Sequence, residues 1–361
     1  MVRILHIVTY MGRGGIETML MNYFRRIDKT KIQFDFLVHR DFIADYDDEI
    51  ESLGGKIYRF PVLNPFSKEY KSKLRKFFLG HREYKIVHSH VDSMSSVPLK
   101  IAKECGVPIR IAHAHNCSEV KNLKYYLKLY YKSKLPKCAN YFFACSNEAG
   151  KWLYGDREFT LLNNAIDTKQ YAFNKEARVK IRNEFSISDD TLVIGSVARF
   201  EPQKNHSFAL DVFKKLIDRK PNCILLLVGD GSLKNDIIEK SKLLKIDDKV
   251  IFAGVREDVP CVLQAMDLFL FPSFFEGLPV SIIEAQTSGL PCLISDKVPI
   301  ECKKTDIVDV CSLSDDTSIW VDKIVNLTRL TRSDGSDAIT NAGFDISENA
   351  RKLEDFYLSF K

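Results

Sequence analysis

Asp267-Leu268-Phe269-Leu270-Phe271-Pro272-Ser273-Phe274-Phe275-Glu276-Gly277-Leu278-Pro279-Val280-Ser281-Ile282-Ile283-Glu284-Ala285-Gln286-Thr287-Ser288-Gly289-Leu290-Pro291 reads as a strand, a loop and a helix. The apolar run up to Phe271 is a buried strand, and Pro272 and Ser273 end it. Pro279 sits where a helix begins and Gly289 where it stops. Backbone N–H groups from Gly277 and Leu278 onward then lie at a helix N-terminus, where donors lack intrahelical partners and the helix dipole favours an anion such as phosphate. Glu276 precedes the helix and Glu284 lies inside it, roughly 7 to 10 Å further along the axis. Ionised carboxylates only accept hydrogen bonds, so the pair suits two separate hydroxyl-bearing groups, for example a sugar on one side of a diphosphate and a ribose on the other.

The same strand-loop-helix grammar runs through the chain. Arg3 to Tyr10, Gln33 to Val38, Lys56 to Phe60, Ile86 to Ser89, Pro108 to His113 and Tyr141 to Cys145 are short apolar strands separated by helical stretches. A second series starts at Leu192 to Arg199 and continues with Cys223 to Val228, Val250 to Gly254 and Leu290 to Ile294. Alternating strands and helices predict doubly wound parallel sheets with ligand crevices at the carboxyl ends of the strands. Thr168 to Asp190 is polar and poor in strands, so the linker is expected there. After Ile294 the pattern weakens, until helical spacing returns from Ile346 to Phe360.

Length and composition agree with this reading. A chain of 361 residues with 45% apolar side chains exceeds one ordinary core, which predicts two domains. The nine cysteines include no Cys-x-x-Cys and are odd in number, which speaks for reduced thiols rather than a disulfide framework. There is no apolar run of about 18 residues to cross a membrane and no signal-peptide pattern, so a cytoplasmic location is expected. A net charge of +5 is too mild to imply nucleic acid as a partner.

Phe274 to Cys292 resembles the nucleotide-sugar signature of the GT-B glycosyltransferases of family 4, retaining enzymes that build bacterial polysaccharides and glycolipids. The resemblance extends over nearly the whole chain, strongest from Leu192 to Asp296. It implies an α/β GT-B fold, two Rossmann-like doubly wound domains facing across a cleft. The expected division is an acceptor-binding domain over 1–170, a linker over 171–190, a nucleotide-sugar domain over 191–340, and a terminal helix over 341–361 that returns to the first domain. It further implies that Glu276 contacts the transferred sugar and Glu284 the ribose. Arg199 and Lys204 flank the loop after the first strand of the second domain, and two fixed cations are the metal-free way to stabilise a departing diphosphate; the family places an Arg and a Lys there. Gly229 belongs to another strand-to-loop glycine pair, and the loop with Val255 and Arg256 is expected to hold the nucleobase through backbone groups. In the first domain the turn Gly12-Arg13-Gly14-Gly15 lacks the third glycine of a dinucleotide loop, since Glu17 stands there. NAD is therefore not expected, and the family uses Gly14 and Gly15 to approach the donor diphosphate and the acceptor. Asn163-Asn164-Ala165-Ile166-Asp167 resembles the crossing between the domains, with Ala165 for a glycine, and Asn164 is counted among the substrate-binding residues.

His88-Ser89-His90 and His113-Ala114-His115 close two strands, and alternate residues point to one side. No carboxylate or thiolate is placed to complete a metal site, so neither metal nor cofactor is expected. His115 resembles the family's active-site histidine near the transferred sugar. Asp45-Tyr46-Asp47 spells the Asp-x-Asp of metal-dependent transferases, but its acidic surroundings read as a solvated face. Between Glu119 and Lys137, Lys121, Lys124, Lys128 and Lys132 fall on one side of a helix beside Tyr126, Tyr130 and Tyr131. Such a helix can lie on an anionic membrane surface or pack as an ordinary surface helix. The expected partners are thus a nucleotide diphosphate sugar, a glycan or polyprenyl-diphosphate-linked glycan, and an anionic membrane. The expected reaction is hexosyl transfer from a nucleotide diphosphate sugar, a UDP-sugar, with retention; a nucleotide-sugar epimerase and a non-catalytic assembly subunit are the alternatives.

Overall fold

The computed structural model describes residues 1–117 and 123–360. It divides into two compact units, one of Met1–Ile166 with Asp345–Lys361 and one of Asp167–Phe344. In the first unit a seven-stranded sheet is built from β1 (Val2–Val8), β2 (Ile32–Val38), β3 (Ile57–Arg59), β4 (Ile86–Ser89), β5 (Ile109–Ala114), β6 (Tyr141–Ala144) and β7 (Thr160–Leu161). Their spatial order is β3-β2-β1-β4-β5-β6-β7, and every pairing is parallel. The order reverses between β1 and β4, so the ends of β1, β4 and β5 form the crevice side of this sheet. Apolar strands covered on both faces bury Ile4, Phe34, Phe36, Ile86 and Ile111, as a parallel sheet requires.

The second unit holds β8 (Leu192–Val197), β9 (Cys223–Val228), β10 (Val250–Gly254), β11 (Leu268–Phe271), β12 (Cys292–Ser295) and β13 (Val308–Cys311). These lie in the order β10-β9-β8-β11-β12-β13, again all parallel. Both sheets are doubly wound, as expected. The reversal here falls between β8 and β11, which brings the loop after β8, carrying Arg199 and Lys204, beside the loop after β11, carrying Glu276.

Three boundaries differ from the sequence reading. Residues 171–190 are not a bare linker: the helix Lys175–Glu184 packs in the second unit, where Arg178 and Arg182 both reach the Asp267 carboxylate, at 2.6 and 2.7 Å. Its polar residues include a solvated outer side and two arginines that stitch carbonyls and Asp267 together. The chain leaves the first unit at Ile166 and re-enters it at Asp345, where Ile346 N–H donates to the Ile166 carbonyl at 2.9 Å. The helix Ile346–Leu358 then buries Ile346, Ala350, Leu353 and Tyr357 in the first core. Beyond Ile294 the sequence hid an edge strand, β13, and the helix Thr317–Leu327, which sinks Trp320 into the second core.

Asp47 is not a solvated acid. It is buried, accepts from the Ala44 N–H at 3.0 Å and pairs with Arg59 at 2.5 Å, so Asp45-Tyr46-Asp47 is a structural turn. All nine cysteines are free thiols. No helix among the described residues is long and apolar enough to cross a membrane.

Candidate active site

The helix expected after Glu276 is Val280–Thr287, entered from Pro279 with no side chain capping its first turn. It ends in a Schellman closure: Gly289 N–H donates to the Gln286 carbonyl and Leu290 N–H to that of Ala285, each at 2.9 Å. Gly289 has φ +62, and a Cβ there would sit 1.4 Å from the Ser333 carbonyl oxygen. Both conformation and space therefore require glycine. At the N-terminal end of the helix, Gly277 and Leu278 are buried beside Glu276.

That loop is tied to the one after β8. Gln203 Nε2 donates to the Phe275 carbonyl at 2.7 Å, and Phe274 N–H donates to the Gln203 carbonyl at 2.9 Å. Asn205, ahead of the following helix, adopts left-handed backbone (φ 54) and makes no side-chain cap; its side chain donates to the Pro272 carbonyl at 3.1 Å. These ties set the position of Lys204, whose Nζ lies 2.6 Å from Glu276 Oε1 and over the Phe271 ring. Both charges are largely buried, so the pair is held rather than solvated. Arg199 is exposed on the same loop. The structure thus joins Lys204 to Glu276 and leaves Arg199 on the surface at the start of the Lys204 loop.

Glu284 lies within the helix, buried, and Tyr171 Oη donates to its Oε1 at 2.7 Å. Burial pushes the Glu284 carboxyl up to about 7, and the Tyr171 bond opposes that rise. Tyr171 was missed because it falls in the span read as linker; a tyrosine in a polar stretch was the available signal. Gly229 follows β9 with φ +135, and a Cβ would approach the Ala198 carbonyl oxygen to 2.2 Å. Its loop is bound to that of Arg199 through Phe200 N–H and the Asp230 carbonyl, 2.9 Å apart. Val255 is exposed after β10. The Arg256 side chain is committed to Glu184 at 2.5 Å and to Asp258 at 2.8 Å, which leaves backbone groups as this loop's offering to a base.

In the first unit, Gly14 precedes the helix Gly15–Arg26, and Glu17 folds back over it, so that a Cβ on Gly14 would lie 2.3 Å from Glu17 Oε2. An acidic side chain already stands at the first turn of this helix, whereas a Cβ on Gly15 would meet nothing within 4 Å. Asn164 is buried in the crossing segment, which Tyr23 Oη and Asn22 Nδ2 hold by the carbonyls of Asn163 at 2.7 Å and Ala165 at 3.1 Å. His115 closes β5; its backbone N–H donates to Asp92 Oδ1 at 2.8 Å. The other three histidines named from sequence lie beside it in the core, joined by His6 from the middle of β1. A polar residue inside Ile-Leu-His-Ile-Val was the signal for His6.

The surface helix is Leu123–Lys134. Lys121 lies outside the described residues, as does the side chain of Lys124. Lys132 rests on the Trp152 ring at 4.7 Å, and Lys128 is half-buried. The outward face is aromatic instead: Tyr126 and Tyr130 are 72% and 55% exposed, with Leu129 between them. Of the four lysines, Lys128 and Lys132 are thus partly covered.

Known proteins bear on these observations in three ways. Residues 177–303 match the family described as Glycosyl transferases group 1. The chain is 35% identical to the putative glycosyltransferase EpsF of Bacillus subtilis, over 98% of this chain and 96% of that one. It is 28% identical to the UDP-Gal:alpha-D-GlcNAc-diphosphoundecaprenol alpha-1,3-galactosyltransferase of Escherichia coli, over 99% and 97%. Among solved structures, Anabaena Alr3699/HepE in complex with UDP superposes with a TM-score of 0.82 at 16% identity, covering 99% of this chain and all of that one. Two parallel-sheet units matching GT-B structures, and a relative matched nearly end to end, lead to one conclusion: the chain belongs to the group 1 glycosyltransferases.

Proposed function

We propose that the protein transfers a hexosyl unit from a UDP-sugar to a lipid-linked glycan during bacterial polysaccharide synthesis, with retention at the anomeric carbon, as in family 4. The observation that carries this reading is the Lys204–Glu276 pair at 2.6 Å, set at the open end of the helix that also bears Glu284 eight residues on. A diphosphate at that helix end meets the positive end of the helix dipole and the cations Lys204 and Arg199. Glu276 accepts from the sugar hydroxyls and Glu284 from the ribose, while Gly229, Val255 and Arg256 offer backbone to the phosphates and base. On the first unit, His115, Asn164, Gly14 and Gly15 serve the sugar and the acceptor. A UDP donor is supported by the UDP complex of HepE and by the UDP-Gal in the Escherichia coli relative's name. A diphosphoundecaprenol-linked acceptor is supported by that same name.

No second carboxylate is needed beside the anomeric carbon if the reaction runs on one face of the sugar. The bond from that carbon to the β-phosphate oxygen breaks as the bond to the acceptor oxygen forms, and the acceptor's proton passes to the departing phosphate. Retention follows without the paired carboxylates of retaining glycosidases. Arg199 and Lys204 carry the developing negative charge, so no divalent ion is required at the phosphates. The enzyme would meet its acceptor on the inner face of the membrane, held by Tyr126, Leu129 and Tyr130 at the interface and by flanking lysines.

The test incubates the pure protein with a panel of nucleotide sugars, with and without a polyprenyl-diphosphate-linked sugar, and measures nucleotide diphosphate release and the product's anomeric configuration. One UDP-sugar should be consumed, dependent on acceptor, with an axial-to-axial or equatorial-to-equatorial outcome. Release of no nucleotide from any donor, or an inverted product, refutes the proposal.

A further inference from the structure

His6, His88, His90, His113 and His115 stand together in the first core, with neighbouring ring centroids between 4.1 and 5.5 Å apart. Three of them are joined in line: His6 Nδ1 lies 3.0 Å from His90 Nε2, and His90 Nδ1 lies 3.0 Å from His115 Nε2. Burial keeps these rings neutral, lowering His6 and His115 to about 3 and His90 well below its ordinary value. A neutral imidazole carries a single N–H. All the hydrogens in the chain must therefore point the same way.

Only two directions exist. If the chain runs from His115 to His6, an N–H is left on His6 Nε2, a buried atom with no partner among the described residues. If it runs from His6 to His115, only a lone pair is left there. A stranded buried N–H is the rarer and costlier arrangement. We propose that His6 and His90 are positioning residues that hold His115 as its Nδ1–H tautomer, His6 Nδ1–H donating to His90 Nε2 and His90 Nδ1–H donating to His115 Nε2. His115 then offers the active site a donor and never an acceptor. The line runs outward, since His115 is 7% exposed and none of the other four exceeds 3%. Asp92 fixes the ring's backbone from the opposite side, accepting the His115 N–H and, at 2.7 Å, the Asn116 Nδ2.

A donor at this point suits an oxygen that accepts, such as a sugar hydroxyl or the departing glycosidic oxygen, and in this the inference rests on His115 meeting the transferred sugar. Two triads, His6 with His88 and His90, and His90 with His113 and His115, also have the spacing of metal ligands. An ion in either would place two positive charges in an apolar core with no carboxylate in the triad, and a nitrogen bound to metal cannot carry the chain's proton.

The full chain, with its histidines labelled with nitrogen-15, gives the tautomer directly by NMR at neutral pH. Wild-type His115 should be protonated at Nδ1. His90→Phe removes both links and should release His115 to a mixture or to Nε2–H. His90→Gln should preserve Nδ1–H, because its amide N–H can donate to His115 and its carbonyl can accept from His6. His113→Phe, which removes a ring of the same stack that makes no hydrogen bond, should also preserve it. Turnover should fall about tenfold in His90→Phe with the donor KM within about twofold, and recover in His90→Gln, the loss of one hydrogen bond made in the transition state. Wild-type His115 protonated at Nε2, or a stoichiometric transition metal in the purified protein, overturns the chain, and the wild-type spectrum suffices if a variant fails to fold. A tautomer lost in His90→Phe with turnover unchanged overturns the positioning role and removes His115 from the reaction, so the two failures are distinguishable.

Discussion

Glu284→Gln should stabilise the protein while weakening its hold on nucleotide, and the size of the effect depends on pH. The amide keeps the acceptor for Tyr171 Oη, so the variant isolates the charge. In the folded chain burial raises this carboxyl from 4.5 to about 7. A carboxyl whose folded value is raised contributes stability that is present below its unfolded value and is lost as pH rises through the folded one. Between pH 5 and pH 8 the wild type should therefore lose about 2.5 kcal/mol relative to Glu284→Gln. For a unit of this size that is roughly 5 to 10 °C in Tm. Thermal unfolding of both proteins at the two pH values, together with calorimetric titration of UDP at pH 8, makes the comparison. The Tm gap should widen at pH 8 in favour of glutamine, and UDP should bind the variant more weakly by about tenfold, the scale of hydrogen bonds to a charged acceptor. A gap that does not change with pH means that Glu284 is ionised without penalty, and the strain argued from its burial is wrong.

Arg199→Ala and Lys204→Ala should each lower turnover by about 10² or more, as loss of one preorganised electrostatic group does, and added Mg²⁺ or Mn²⁺ should neither be needed nor rescue them; steady-state assays with and without these ions decide it. Replacing Tyr126 and Tyr130 by alanine should reduce co-sedimentation with anionic vesicles about tenfold or more, and vesicle binding that persists shows this face is not the contact. Gly289→Ala should lower stability by more than about 2 kcal/mol, since it combines a left-handed backbone with a clash against the Ser333 carbonyl, measured as a fall in Tm.

Much of the fold was legible because parallel strands covered on both faces are apolar throughout. Cys223–Val228 and Val250–Gly254 were placed without error, and the strand-loop-helix around Glu276 announced itself through Pro279 and Gly289. The edge strand Val308–Cys311 was hidden because an edge needs only a partly buried face, and Asp309 interrupts its apolar run. The helix Lys175–Glu184 was hidden because its contacts are made by arginines, which composition scores as solvent-facing. For the site, residues on one continuous stretch, such as Glu276 and Glu284, could be read together. Tyr171, His6 and Tyr357 could not, because only the fold brings Tyr171 to Glu284, His6 to His90, and Tyr357 Oη within 2.7 Å of His88. The contact of Lys132 with the Trp152 ring was out of reach for a related reason, since only the fold brings the two together.

The helix Ile346–Leu358 has a consequence for how the protein is made. It completes the core of the first unit, yet all of Asp167–Phe344 is translated between the two parts of that unit. At about 5 to 20 residues per second, the first unit waits on the order of 10 to 40 s with the places of Ile346, Ala350, Leu353 and Tyr357 unfilled. The second unit, contiguous in sequence, can close on the ribosome during that delay. The first is left as an open sheet with an apolar face and with His88 lacking its tyrosine, the state in which chaperones would meet this chain and in which a ribosome stalled before residue 345 would leave it.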